Sequence, residues 1–82
     1  MSKSNKIKSL LAYTNITSLA FSQALGLSKP QALNTKYARE SFTSDDLIKL
    51  AELTDTRLCF VDNKTNKEIV SFDETDLKEN QI

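Results

Sequence analysis

Histidine and tryptophan are absent from this chain of 82 residues, and glycine, proline, cysteine and methionine each occur once. Without histidine, the commonest general base and the commonest metal ligand are both missing. The single cysteine, Cys59, excludes an internal disulfide and any cysteine-rich metal framework. With no partner base it reads as a small buried hydrophobe, not a nucleophile. There is no glycine-rich phosphate loop and no nucleophile–base pair, so the expectation is a protein that is not an enzyme and that needs no metal or cofactor. No run of apolar residues approaches the length of a membrane span, and MSKSNKIKSLLAY at the N-terminus is too polar and interrupted for a secretory signal. A cytoplasmic, soluble protein with no membrane partner is therefore expected. The length allows one domain, over residues 1–82, and a chain of this size buries only roughly 60–65% of its unfolded surface.

The net charge is zero, but it divides along the chain. Up to Phe42, six basic residues (Lys3, Lys6, Lys8, Lys29, Lys36 and Arg39) face Glu40 alone. From Thr43 onward, ten acidic residues outnumber five basic ones. A basic half joined to an acidic half suits a protein whose first part meets a polyanion and whose second part does not. Two solvated surfaces of chance composition would look the same.

Ile7, Leu10, Leu11 and Thr14 recur at i, i+3, i+4 and i+7, the stripe of an amphipathic helix, with Ser4 or Asn5 placed to cap it. Phe21, Ala24 and Leu25 share a face of a second helix, with Thr17 at its N-cap and Ile16 just outside. Gly26, the only glycine, sits where that helix must end in a left-handed residue, and Leu27 follows it inward. Ser28 and Gln31 have the spacing of a capping box for a third helix, with Pro30 tolerated in the first turn. With Leu33 and Tyr37 pointing inward, Gln31, Asn34, Thr35 and Ala38 point away and Arg39 lies on one flank.

Phe42-Thr43-Ser44-Asp45-Asp46-Leu47 opens a fourth helix, with Thr43 as N-cap, acidic residues against the positive helix end and a Phe42–Leu47 staple. Its apolar residues Leu47, Ile48, Leu50, Ala51 and Leu53 cover a wider arc than one core requires. The period then changes. LCFVD (58–62) and EIVSF (68–72) read as two strands of a hairpin, with Asn63 or Asn66 available for φ > 0 in the turn. Leu58 and Phe60 fall on one face, Cys59 and Val61 on the other. The fold class expected is mainly α: a compact four-helix helix-turn-helix domain (4–56), a short C-terminal β-hairpin (57–73) that can serve as a dimer element, and a frayed acidic tail (74–82).

The segment ITSLAFSQALGLSKPQALNTKY resembles the DNA-binding core of the Xre, or Cro/CI-type, family, with Leu25-Gly26-Leu27-Ser28 matching its Leu-Gly-Val/Ile-Ser turn. The resemblance runs on through SFTSDDLIKLAELT and the LCFVD strand, covering about Ile7 to Phe72, as in small regulators of Gram-positive phages and mobile elements. Lys29-Pro30 lengthens the turn by one residue relative to the family pattern. Ser18 stands where a phosphate-binding glutamine is usual, Ser22 where alanine is usual, and Leu19 points outward where the family has a polar residue.

The resemblance implies a role in reading bases for Lys29, Gln31, Asn34 and Thr35. Their chemistry agrees: Gln and Asn amides pair bidentately with adenine N6 and N7, Thr offers a methyl or hydroxyl, and Lys reaches guanine. An exposed helix face must be polar in any case, so the residue types alone leave this open. Thr17, Ser18, Lys36, Arg39, Ser41 and Lys6 are candidates for phosphate contacts, although each lysine taken singly reads equally as a solvated charge. Double-stranded DNA is the expected partner, read by a homodimer over paired half-sites, with Ile48, Leu53, Cys59 and Val61 at the dimer interface. The function expected is transcriptional repression or autoregulation by operator occlusion. A protein-binding inhibitor or antitoxin-like module, including a phage anti-defence protein, is the alternative, its acidic second half meeting a basic partner.

Overall fold

A computed structural model describes residues 2–78. Four helices, α1 (Lys3–Thr14), α2 (Ser18–Ala24), α3 (Pro30–Arg39) and α4 (Ser44–Leu53), precede an antiparallel hairpin of β1 (Leu58–Val61) and β2 (Glu68–Phe72). The mainly α fold expected from the sequence is the one observed. No helix among the described residues is long and apolar enough to cross a membrane.

The core is small, and Phe21 is its centre, with no exposed surface at all. Ile7, Leu11, Leu33 and Leu50 complete the buried cluster, one or two from each helix, with Leu25, Leu27, Tyr37 and Phe42 packed around it. Phe42 turns inward from the α3–α4 connection and stacks on Phe21, ring centroids 6.1 Å apart, while Tyr37 tilts against it at 5.5 Å. Ser22 is buried beside Phe21, small enough for close helix approach.

Each helix ends in the same way. A residue with φ near +60° follows the last turn: Asn15, Gly26, Glu40 and Asp55. The next residue then donates its N–H back five positions, as in Leu27 to the Ser22 carbonyl and Thr56 to the Ala51 carbonyl. This is the Schellman closure, which satisfies carbonyls the helix leaves orphaned. Glycine takes such a φ at little cost, whereas a side chain costs roughly 1 kcal/mol or more. Glu40 has a specific compensation. Its Oε1 accepts from the Ser4 N–H at 3.3 Å, and the Ser4 hydroxyl donates to the Tyr37 carbonyl at 2.6 Å. The start of α1 is thereby tied to the end of α3.

Three local expectations are corrected. Ser2, not Ser4 or Asn5, caps α1, its hydroxyl accepting from the Asn5 N–H; Ser4 lies two residues further in, within the first turn, and is buried. The Ser28–Gln31 capping box does not form, because Lys29 occupies the N-cap of α3 and Pro30 its first position, placing Ser28 one residue too early. The tail does not fray where it begins. A 3-10 turn over Glu74–Asp76 carries Leu77 into the core's edge beside Leu53, and the Lys78 N–H donates to Asp45 at 3.2 Å. Residues 79–82 of that tail lie outside the described residues. Thr43, by contrast, caps α4 as expected and forms a full box with Asp46.

A Cβ added to Gly26 would meet nothing within 4 Å, so Gly26→Ala tests backbone strain alone. The expected loss is about 1 kcal/mol by urea denaturation. Asp55→Gly at the equivalent position of α4 is expected to gain up to about 1 kcal/mol, since it relieves strain and removes a negative charge from the negative helix end.

Candidate nucleic-acid interface

The rotation of α3 is set by two side chains. Leu33 is buried in the central cluster, and Tyr37 lies half-buried against Phe42. Lys8 of α1 lays its ammonium over the Tyr37 ring, 4.7 Å from the centroid. With that face committed, Gln31, Asn34, Thr35, Ala38 and Arg39 are all exposed on the opposite side. The Thr35 hydroxyl donates to the Gln31 carbonyl at 3.0 Å, so what it offers outward is a methyl group and an acceptor oxygen. Ala38 adds no bulk that would hold the helix away from a partner. Lys29 is exposed at the N-cap and makes no side-chain capping bond, leaving the first-turn N–H groups without a side-chain acceptor.

The candidate phosphate contacts divide into two groups. Thr17 and Ser18 are exposed at the start of α2, where the Thr17 hydroxyl accepts from the Ala20 N–H at 3.1 Å and keeps its own hydrogen to donate. Arg39 and Ser41 are exposed at the far end of α3. Between these ends lies Tyr37, whose hydroxyl oxygen is buried without a partner of good geometry. Burial pushes the Tyr37 pKa up, outweighing the neighbouring Ser18 hydroxyl, which acts in the opposite direction.

Lys36 and Lys6 do not join this surface. The Lys36 ammonium lies 2.8 Å from Asp46 Oδ2, with its side chain largely covered, and passes over the Phe42 ring at 5.9 Å. It is the structural cation that clamps α3 to the capping carboxylate of α4. Lys6 projects on the other side of α1, into a shallow groove with Leu10, Leu50, Arg57 and Leu58. Lys8 is the lysine of α1 that stands beside α3. Helical phase distinguished the two: Lys8 follows buried Ser4 by one turn, and Lys6 does not.

The expected dimer residues also separate. Ile48 is buried in its own chain and Leu53 packs against the same core, because Leu77 and the hairpin cover the wide apolar arc of α4. Cys59 is half-buried, and only Val61 is open. The exposed apolar surface of the hairpin is instead made by Phe60, Ile69, Val70 and Phe72 along with Val61, while Tyr13 and Leu19 stand exposed on α1 and α2. Strand alternation set Leu58 and Phe60 on one face of β1 and Cys59 and Val61 on the other, but how the hairpin leans on α4 was not in the local pattern. Between hairpin and helix runs a groove of about 640 Å³, lined by Leu47, Ile48, Leu58, Phe60 and Phe72 with the carboxylates of Asp45 and Asp76.

No protein-family model, curated protein or solved structure matches the chain.

Burial alone would raise the Asp46 pKa, but hydrogen bonds and charge from Lys36 and the N–H and hydroxyl of Thr43 outweigh it and hold the carboxyl below its ordinary value. A depressed carboxylate contributes stability that is full above its unfolded pKa and lost as pH falls through the folded value. Lys36→Met is expected to move the midpoint of acid unfolding, followed by far-UV circular dichroism, to higher pH. It should also lower stability at pH 7 by about 1 kcal/mol, a partly screened ion pair being worth no more.

Proposed function

We propose that this protein binds double-stranded DNA sequence-specifically, as a transcriptional repressor or autoregulator of Xre (Cro/CI) type from a phage or other mobile element. It acts in the cytoplasm by occluding an operator that overlaps a promoter. One observation carries this reading. The outward face of α3 presents two amides, a threonine and an alanine with no part of the described chain lying over them, while Leu33 and Tyr37 hold the helix in that rotation. A major groove admits such a helix and is read by those groups, Gln31 and Asn34 toward adenine and Thr35 toward a thymine methyl. Lys29 extends the reading edge toward guanine or phosphate. Thr17 and Ser18 at one end and Arg39 and Ser41 at the other supply donors that position the helix on the backbone, with Lys8 adding charge.

The exposed Leu19, with 62% of its surface open, favours a second reading. An outward leucine at the start of α2 adds nothing to phosphate binding and suits a protein contact. In that reading the domain is an inhibitor or antitoxin-like module.

Gel-shift titration against DNA upstream of the protein's own gene, at two salt concentrations, separates them. Gln31→Ala with Asn34→Ala is expected to weaken operator binding about a hundredfold or more and to leave random duplex nearly unaffected, since each bidentate contact contributes roughly 1–3 kcal/mol of discrimination. Equal losses on both duplexes would remove base reading from these amides. Affinity should fall with a log–log slope of about −0.9 per phosphate neutralised, so Arg39→Ala flattens the slope by about that amount and Lys36→Met does not. A flat response in the wild type, with a stable protein co-purifying, selects the second reading.

A further inference from the structure

Burial falls along β1, from half-buried Leu58 and Cys59 to exposed Phe60 and Val61, so the hairpin leaves α4 as it runs outward. The space that opens is the groove of about 640 Å³ between hairpin and helix. Clefts that hold small molecules span roughly 300–1,000 Å³. The walls of this one are apolar: Leu47 and Ile48 of α4 form one, and Leu58, Phe60 and Phe72 of the hairpin the other. The Phe60 and Phe72 rings meet edge-on at 6.0 Å, and 65% of Phe60 is open, aromatic surface that the fold itself does not cover.

The charge at the rim has one sign. Asp45 and Asp76 line the groove, and no lysine or arginine among the described residues does. Backbone holds both carboxylates in place: Asp45 Oδ2 accepts from the Lys78 N–H at 3.2 Å, and Asp76 Oδ2 from the Asp73 N–H at 3.0 Å. A bond from a neutral N–H fixes a carboxylate without cancelling its charge and leaves it able to accept further donors. Such a rim attracts a cation, and so do the faces of phenylalanine rings. Apolar walls add a second requirement, an apolar body to cover them. No three acidic or cysteine side chains among the described residues converge to hold a metal ion, so the charge has to arrive on an organic group. The groove is also short along the helix. Its α4 residues run from Ser44 to Ile48, about 6 Å of axis at about 1.5 Å per residue. A partner helix anchored at i, i+3, i+4 and i+7 needs about 10 Å.

We propose that this groove is a binding site for a small amphipathic organic cation, an aromatic or aliphatic body bearing an ammonium group. The body lies between the α4 wall and the hairpin wall, and the ammonium group sits at the carboxylate rim. Hairpin, α4 and the 3-10 turn build the site by themselves, so it is independent of what α3 binds.

Titration calorimetry of the full chain with three naphthalene probes of matched shape tests it. (2-Naphthylmethyl)trimethylammonium is expected to bind with Kd below about 1 mM, within reach of a ligand of this size. The anion 2-naphthylacetate should bind about tenfold more weakly or worse, with neutral 2-naphthaleneethanol between them. Cys59 lines the groove and is the only thiol. Saturating ammonium probe should therefore slow its alkylation by iodoacetamide about threefold or more. Asp45→Asn with Asp76→Asn keeps both acceptors for the backbone N–H groups. It should weaken the ammonium probe about tenfold and leave the neutral probe and the far-UV circular dichroism unchanged. Absence of ammonium binding at about 5 mM overturns the proposal. So does equal affinity for the three probes, or binding that leaves Cys59 alkylation unchanged. Capture of a leucine- and lysine-rich helical peptide without the ammonium probe also overturns it and gives the groove to a protein segment. The probe comparison and the Cys59 readout use the wild type, so both decide the matter even where the double variant fails to fold.

Discussion

Everything on the outward face of α3 depends on how Phe21 is enclosed. Among the described residues it is the only large side chain with no solvent contact, and Phe42 stacks on it from the α3–α4 connection while Leu33 meets it in the same cluster. Tyr37 closes the layer by tilting onto Phe42. A helix of ten residues held at Leu33 and Tyr37, one turn apart, has no freedom to roll. That is why Gln31, Asn34 and Thr35 stay outward while remaining ordinary polar residues in composition. The polar face is a consequence of the aromatic layer beneath it.

The same economy governs the charges. Of the lysines in the basic half, Lys36 is spent on the Asp46 clamp and Lys8 is drawn over the Tyr37 ring. Both interactions tie α3 to a neighbour, one at each side. The exposed cations that α3 itself brings to this face are Lys29 at its start and Arg39 at its end, with Lys8 of α1 alongside. Lys29 and Arg39 bracket the amides at a separation of ten residues. Charge division along the chain pointed to a polyanion-facing half, but the number of cations free for that task is smaller than the sequence count suggests.

Helix termini explain how a chain with one glycine makes four tight connections. Asn15 and Asp55 tolerate the left-handed region through their short polar side chains, Gly26 through having none, and Glu40 through its bond to the Ser4 N–H. Leu27 and Ile16, the residues after two of these turns, fall back onto the core, so each turn also adds a packing contact. The hairpin is the exception to this closure. Its β2 strand ends the sheet with five open residues, and the hairpin carries most of the exposed large apolar side chains among the described residues, Tyr13 of α1 and Leu19 of α2 being the others.

Local chemistry was legible at most bonds that span three or four residues, the Ser2 cap of α1 being an exception. Thr17 and Thr43 cap their helices, Gly26 takes φ +73°, Asn66 takes φ +60° in the hairpin, and the period-two runs are strands. The exposure of Gln31, Asn34 and Thr35 followed from phase alone, because one rotation buries both Leu33 and Tyr37. The Ser28 capping box was a near miss of one residue: the spacing was present, but Pro30 claimed the first helical position. What failed locally had causes far along the chain. Lys36 and Asp46 are ten residues apart, Ser4 and Tyr37 thirty-three, Asp45 and Lys78 thirty-three.

By itself, then, the sequence determined the four helices, the Thr17 and Thr43 caps, the hairpin and the direction in which α3 presents its amides, since each depends on periodicity and short-range hydrogen bonding. Only the tertiary structure decided which lysines are free, that Ile48 and Leu53 belong to the monomer's core, and that Leu77 returns to cover α4. Those outcomes are set by which faces meet in space, and a burial pattern read along one helix does not say whether its apolar arc is covered by its own chain or left for another.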